Sequence, residues 1–265
     1  MIPPLAPPPP PNLFSAVNPR NFQTIHREGT VYGDVAPPLG LSRMSKPKHD
    51  LAVSRGRLRA YFDAALVDHG FARLVWPNVH RVSDTLWRSG QIAPYQIARF
   101  ARRGIKTIVN LRGRNDSGWY VLEIEACRKH GIAFVDFTTK SRDTPSKEMI
   151  HGAKRLFETI RYPALMHCKS GADRAGLMGA LYRLLHEGRP VEEAVKQLSW
   201  RYGHIRQAKV GMIDYFFEQY RRYNQEKPTP FLDWVDRVYD PAGVKASFMS
   251  QWWANLVVDR ILRRE

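Results

Sequence analysis

The chain has 265 residues, enough for one well-cored catalytic domain with extensions, and its 43% hydrophobic and 25% charged residues exclude a fibrous or wholly disordered protein. Two cysteines exclude a disulfide framework or a cysteine-rich zinc site and point to a reducing, cytoplasmic compartment. The net charge of +16 favours acidic partners, whether phosphorylated protein, nucleic acid or an anionic membrane surface.

Residues 1–47 read as a disordered tail. Pro3, Pro4 and Pro7 to Pro11 form a polyproline tract, no periodic pattern follows, and Met44 opens a more ordinary stretch. No apolar run approaches the length of a membrane span, and the first residues lack the basic-then-apolar layout of a secretory signal. From Arg57 the pattern turns helical, with Leu58, Tyr61, Phe62, Ala65 and Leu66 on one face and Gly70 at the stop. Two short extended runs, Val79 to Val82 and Thr85 to Arg88, are joined by the turn pair Ser83-Asp84. Ser89-Gly90-Gln91 leads into a helix over Pro94 to Arg103.

Ile105 to Leu111 reads as a buried strand closed by Arg112-Gly113-Arg114, followed by a helix over Gly118 to His130 and a strand over Ile132 to Phe137. Such alternation predicts an α/β sheet with crossover helices. Cys127 sits in the helical pattern with Tyr120 and Ile124 and reads as a structural cysteine. Thr138 to Ser146 is a polar loop, and a helix runs from Lys147 to Arg161.

Pro163-Ala164-Leu165-Met166 is a short buried strand, and Leu177, Met178, Leu181, Leu184 and Leu185 recur at helical spacing. Between them lies His167-Cys168-Lys169-Ser170-Gly171-Ala172-Asp173-Arg174. A tight strand-to-helix loop aims backbone N–H groups at one spot, which attracts anions and favours a thiolate on Cys168. Arg174 supplies a planar fork for two phosphate oxygens. A nucleophile, an anion cradle and a fixed cation are the parts needed to remove phosphate through a covalent intermediate. An acidic Asp173 within such a loop is expected to turn outward, toward Arg201 or Arg206.

Helical patterns resume at Val191 to Trp200 and at Ile205 to Tyr223, and Arg206, Gln207 and Lys209 are candidate substrate contacts between them. Asp240-Pro241 starts a last helix, with Asp as N-cap and Pro in the first turn. Val244, Phe248, Met249, Trp252, Trp253, Leu256, Val257 and Leu262 make its apolar stripe, opposite Lys245, Arg260, Arg263 and Arg264. Such a stripe either packs on the catalytic domain or lies in a membrane interface.

His-Cys-x5-Arg resembles the signature loop of the cysteine-dependent protein tyrosine and dual-specificity phosphatases, and its wording here looks most like the bacterial atypical dual-specificity members. Trp87-Arg88-Ser89-Gly90-Gln91 is similar to the same family. The resemblance covers about Val79 to Tyr223. It implies an α/β fold with a phosphatase-like central mixed sheet flanked by helices, preceded by the proline-rich tail and followed by a helical extension. The expected divisions are 1–47, 48–225 and 226–265.

The resemblance implies a phosphomonoester hydrolase working through a cysteinyl-phosphate on Cys168. Arg174 and the loop N–H groups hold the phosphate, His167 organises the loop, and Asp143 is the general acid with Asp136 as the alternative. No metal or cofactor is implied. Where this family has Ser or Thr after the loop Arg, the chain has Ala175, from which slower release of the phosphoenzyme is expected. The implied substrate is a phosphorylated protein or another acidic phosphomonoester, and nucleic acid is not an expected partner. Lys169, the net charge and Trp252/Trp253 keep a lipid or inositol phosphate open as the substrate, with membrane contact through the last helix. A phosphate-binding module without catalysis is the third reading.

Overall fold

The structure, a computed structural model, describes residues 54–62, 78–115 and 117–262. The polyproline tract, Met44 and the expected helix stop at Gly70 lie outside the described residues. Strands His80–Arg81 (β1), Leu86–Ser89 (β2), Thr107–Asn110 (β3), Ala133–Asp136 (β4) and Ala164–His167 (β5) form one sheet in the order β1-β2-β5-β3-β4. β1 and β2 are antiparallel, and every other pair is parallel. Ser83 closes the hairpin, its Oγ accepting from the backbone N–H groups of Thr85 (3.2 Å) and Leu86 (3.0 Å).

Parallel strands need crossovers, and the helices that supply them cover both faces of the sheet. Alternation along each strand decides which core a side chain joins. Met166, Val109 and Val135 face one way, while their neighbours Leu165, Ile108 and Phe134 face the other. The second set packs under helices Pro94–Arg102 (α2) and Gly118–Lys129 (α3). The first packs under Lys147–Thr159 (α4), Asp173–Leu185 (α5), Val191–Ala194 (α6), Met212–Glu226 (α7) and Phe231–Arg237 (α8). Each apolar side chain taken fully out of water contributes about 1.5–3 kcal/mol, so a sheet covered on both faces carries most of the stability.

The helix entering at Ser54–Phe62 (α1) differs from its sequence pattern. Leu58, Tyr61 and Phe62 are exposed, and Ala60 is the buried residue. Backbone contact explains this, because a Cβ on Gly118 would stand 2.1 Å from the Ala60 carbonyl oxygen. The expected helix over Val191 to Trp200 breaks after Ala194 into short 3-10 turns at Val195–Gln197 and Trp200–Tyr202. Gly203, at φ +78°, turns the chain out of helical conformation. The helix expected from Ile205 begins only at Met212: the Arg206 carbonyl folds back to within 1.9 Å of where a Gly211 Cβ would be.

The C-terminal residues share the central core. Phe231, Trp234, Val235 and Tyr239 belong to the same apolar cluster as Met166 and Leu181. The last helix, Pro241–Leu262 (α9), starts as expected, with Asp240 Oδ1 accepting from the Ala242 N–H at 3.0 Å. Its first turns lie on α7, where Tyr215 Oη and Ser247 Oγ are 2.9 Å apart and Val244 joins the core. Among the described residues no helix is long and apolar enough to cross a membrane.

Candidate active site

The carboxyl ends of four strands meet in one row. Ser89 pairs in register with His167, His167 with Asn110, and Asn110 with Asp136. Cys168 follows directly, buried at the start of the loop that leads into α5. This sheet edge is where open α/β folds gather ligands.

The loop is held open from outside, carbonyl by carbonyl. The Gln91 N–H donates to the Lys169 carbonyl at 3.2 Å, and Asn78 Nδ2 donates to the Ser170 carbonyl at 2.8 Å. Arg88 Nη2 donates to the Gly171 carbonyl at 2.8 Å and to the Ala172 carbonyl at 2.7 Å. With these carbonyls engaged by residues outside the loop, the Gly171 N–H points at Cys168 Sγ, 3.2 Å away. A backbone N–H aimed at that spot is the kind of donor an oxyanion uses. Gly171 is needed twice over: its φ is +76°, and a Cβ there would lie 2.6 Å from the Gly90 nitrogen.

Arg88 is fully buried. Its Nη1 donates to the Gln197 carbonyl at 2.6 Å, and its guanidinium lies 4.3 Å over the Tyr202 ring. Burial lowers its pKa to about 10, opposed by Cys168, Tyr202 and Asp173, so it remains a cation at neutral pH beneath the Cys168 loop. Asn78 also reaches the Tyr202 carbonyl at 2.9 Å, tying the 200–203 turn to the same loop.

Behind Cys168 lies a buried polar chain. His167 Nε2 is 2.7 Å from Glu123 Oε1, both residues fully buried, in a contact poorly aligned as a hydrogen bond. Glu123 Oε2 accepts from Gln91 Nε2 at 2.7 Å, and Gln91 Oε1 accepts from Arg112 at 2.8 Å. Arg112 lies 3.8 Å over the Trp119 ring, which makes it an anchor of this edge. Cys127 is different in kind: burial, with the Glu123 charge nearby, pushes its thiol well up, so it is an inert core residue.

Asp173 does turn outward, but its partner corrects the expectation of Arg201 or Arg206. His204 Nδ1 donates to Asp173 Oδ1 at 2.7 Å, and His204 Nε2 donates to Asp214 Oδ2 at 2.6 Å. Burial alone would disfavour the imidazolium; the hydrogen bonds to the two carboxylates outweigh it and raise the pKa to about 9. The clamp joins the first residue of α5 to the first turn of α7.

Asp143 and Arg174 line one cavity of about 460 Å³, together with Thr139, Lys140, Ser141 and Arg142. Asp143 Oδ1 is 2.9 Å from Lys245 Nζ of α9, and its Oδ2 is 3.4 Å from Lys140 Nζ. The Lys245 hydrogen bond holds its carboxyl below the usual carboxylate range. Asp136 lies apart, accepting from Asn110 Nδ2 at 2.7 Å and from the Tyr120 hydroxyl. Both of its oxygens brace the strand ends.

The structure thus places Arg174 and Asp143 on one cavity and Cys168 and Gly171 in the loop that leads to Arg174, with His167 buried before Cys168 and with Lys169 and Ser170 exposed. Ala175 is fully buried in the apolar core. Gln207 and Lys209 turn toward α9, where the Gln207 carbonyl accepts from Trp252 Nε1 at 3.4 Å and Lys209 Nζ lies 5.1 Å over the Trp252 ring. The sequence alone did not single out Asn78, Glu123 or His204, placed Lys245 only on the polar face of the last helix, and showed Arg88 only within the Trp87–Gln91 wording. Glu123 left one signal: a carboxylate on an otherwise apolar helix face.

The family described as "DSP-PTPase phosphatase fused to NAD+ Kinase" matches residues 78–210. The dual specificity protein phosphatase TpbA of Pseudomonas aeruginosa strain UCBPP-PA14 is 29% identical over 146 residues, covering 54% of this chain and 64% of the relative. TpbA of strain PAO1 is 28% identical over the same length. The chain therefore spans 64% of the length of these relatives. Among solved structures, P. aeruginosa TpbA overlaps with a TM-score of 0.44 at 21% identity, over 64% of this chain and 89% of that one. Tk-PTP in its active form overlaps at 0.43 with 20% identity, over 54% and 98% respectively.

Proposed function

The chain belongs to the DSP-PTPase phosphatase family, and on that premise we propose that it hydrolyses phosphomonoesters through a cysteinyl-phosphate intermediate. One observation carries the reading: Cys168 Sγ sits at the focus of a loop whose Gly171 N–H points at it and whose carbonyls are tied away. Cys168 attacks phosphorus in line, forming the S–P bond as the P–O bond to the leaving group breaks. Arg174 and the loop N–H groups take up the charge of the three non-bridging oxygens, most strongly in the transition state. Asp143 gives its proton to the leaving oxygen. It then takes one from the water that cleaves the S–P bond and frees phosphate.

The substrate we propose is a phosphorylated protein or a similar acidic phosphomonoester, acted on in the cytoplasm. The similarity to dual specificity protein phosphatases and the basic character of the chain support it. The catalytic domain is proposed as 48–225, preceded by a tail and followed by the extension 226–265. A second reading keeps the chemistry and changes the substrate to a lipid or inositol phosphate. Lys169 exposed beside the nucleophile and Trp253 exposed on α9 favour it, with α9 as the membrane contact.

Turnover on p-nitrophenyl phosphate, on a phosphotyrosine peptide and on phosphoinositide vesicles tests these readings together. Hydrolysis lost in Cys168→Ser supports the chemistry, and the ranking of substrates decides between the two readings. Tight vanadate binding with no turnover on any substrate would reduce the protein to a phosphate-binding module.

A further inference from the structure

We infer that Lys245, in the C-terminal extension, is a positioning residue for Asp143, and that the segment from Asp236 to Lys245 forms the fixed backing of the acid loop. This rests on the reading of Asp143 as the general acid.

Four contacts tie the two segments together. Tyr239 Oη donates to the Pro145 carbonyl at 2.8 Å in a buried position, and Thr144 Oγ1 donates to the Pro241 carbonyl at 3.0 Å. Lys147 Nζ donates to the Asp236 carbonyl at 2.9 Å, and Lys245 Nζ meets Asp143 Oδ1 at 2.9 Å. An isolated surface ion pair would be worth little, but here the backbone on each side of the pair is already fixed by the other bonds. α9 is anchored in turn through Val244 in the core and Ser247 on Tyr215. The matched family region ends at residue 210, before this segment begins.

The charge around Asp143 gives the contact its consequence. Lys140 and Arg142 face the carboxyl from its own loop, Arg174 from α5 across the cavity, and Lys245 from α9. Tyr239 and Asp240 stand on the joining segment, Asp240 as a like charge. Of the cations, Lys245 makes the shortest contact with Asp143 and has the largest effect on its ionisation. An acid held toward its ionised form suits the second step, in which Asp143 must accept a proton from water. The same hold lowers the pH at which the first step loses its proton donor. Lys245 therefore sets where the alkaline limb of the rate profile falls.

The test uses the full chain and follows kcat/KM against pH on phenyl phosphate, whose leaving group needs the proton. Lys245→Met, which keeps the aliphatic stem, should move the alkaline limb up by about one pH unit. Lys245→Arg should leave the limb where the native chain has it. Asp143→Asn should abolish the limb, with or without Lys245→Met. A limb that stays in place in Lys245→Met, in a protein with native circular dichroism, overturns the inference and leaves Asp143 as the acid. A limb that survives Asp143→Asn overturns the acid assignment, and the inference with it.

Discussion

Arg88 Nη2 lies 2.8 Å from the Gly171 carbonyl oxygen, and this contact, with its twin at Ala172, ties the main chain of the Cys168 loop to β2. A fully buried cation bonded to main-chain carbonyls, with no carboxylate bonded to it among the described residues, serves to shape the backbone. It also adds a fixed positive charge behind Cys168.

Arg88→Lys keeps the charge and loses the planar fork that reaches two carbonyls and Gln197 at once. Urea denaturation should show a loss of about 1.5–3 kcal/mol per charged hydrogen bond left unmade. Isothermal titration with vanadate should show weaker binding, since the loop N–H groups lose their common focus. Native vanadate affinity in Arg88→Lys would remove the shaping role.

Gly171→Ala meets both a left-handed backbone and the Ser89–Gly90 main chain at 2.6–2.9 Å. The destabilisation should exceed about 1 kcal/mol. Because the clash is with the strand end that seats the loop, activity should fall further than stability, as a Tm measured beside kcat/KM would show.

The Asp173–His204–Asp214 clamp makes stability depend on pH. The folded value of His204, about 9, lies above the ordinary 6.5, so its contribution is complete below 6.5 and is lost as pH rises through 9. Denaturation midpoints should therefore decline across that interval in the native chain. Removing the imidazole in His204→Ala leaves two carboxylates with a buried gap and should cost roughly 3–5 kcal/mol. A native chain whose stability is flat from 6.5 to 9 would contradict the clamp.

Asp143→Asn should slow turnover of poor leaving groups by roughly 10²–10⁴-fold and that of p-nitrophenyl phosphate by less. Losses below a few-fold on every substrate would move the acid elsewhere. Asp136 would be tested next, although its two oxygens are already engaged by Asn110 and Tyr120.

Much of the fold was legible because local pattern and tertiary burial agree along Thr107–Asn110, Ala133–Asp136 and Ala164–His167, where short apolar runs end at polar loops. The nucleophile loop was legible for a related reason: an anion cradle needs a strand, a glycine and a helix in that order. What stayed hidden depends on long-range contact. Arg88 reaches residues more than eighty positions away, and Asn78 more than ninety. His204 looked like part of a polar connection until Asp173 and Asp214 closed on it. The 205–211 segment misled because its apolar residues suggested a helix face, whereas Ile205 is exposed and the Arg206 carbonyl crowds Gly211. Helix α8 was missed because seven residues are too few to show periodicity.

The proposed chemistry passes through a phosphorylated Cys168. Rapid mixing with p-nitrophenyl phosphate should release a burst of about one equivalent of nitrophenolate before the steady state, because fully buried Ala175 puts no hydroxyl beside the departing thiolate. Acid quench during the burst, followed by peptide mass spectrometry, should place one phosphoryl group on the peptide carrying Cys168, and Cys168→Ser should show neither burst nor label. Turnover with no phosphoryl group on Cys168, or with undiminished rate in Cys168→Ser, would contradict the account.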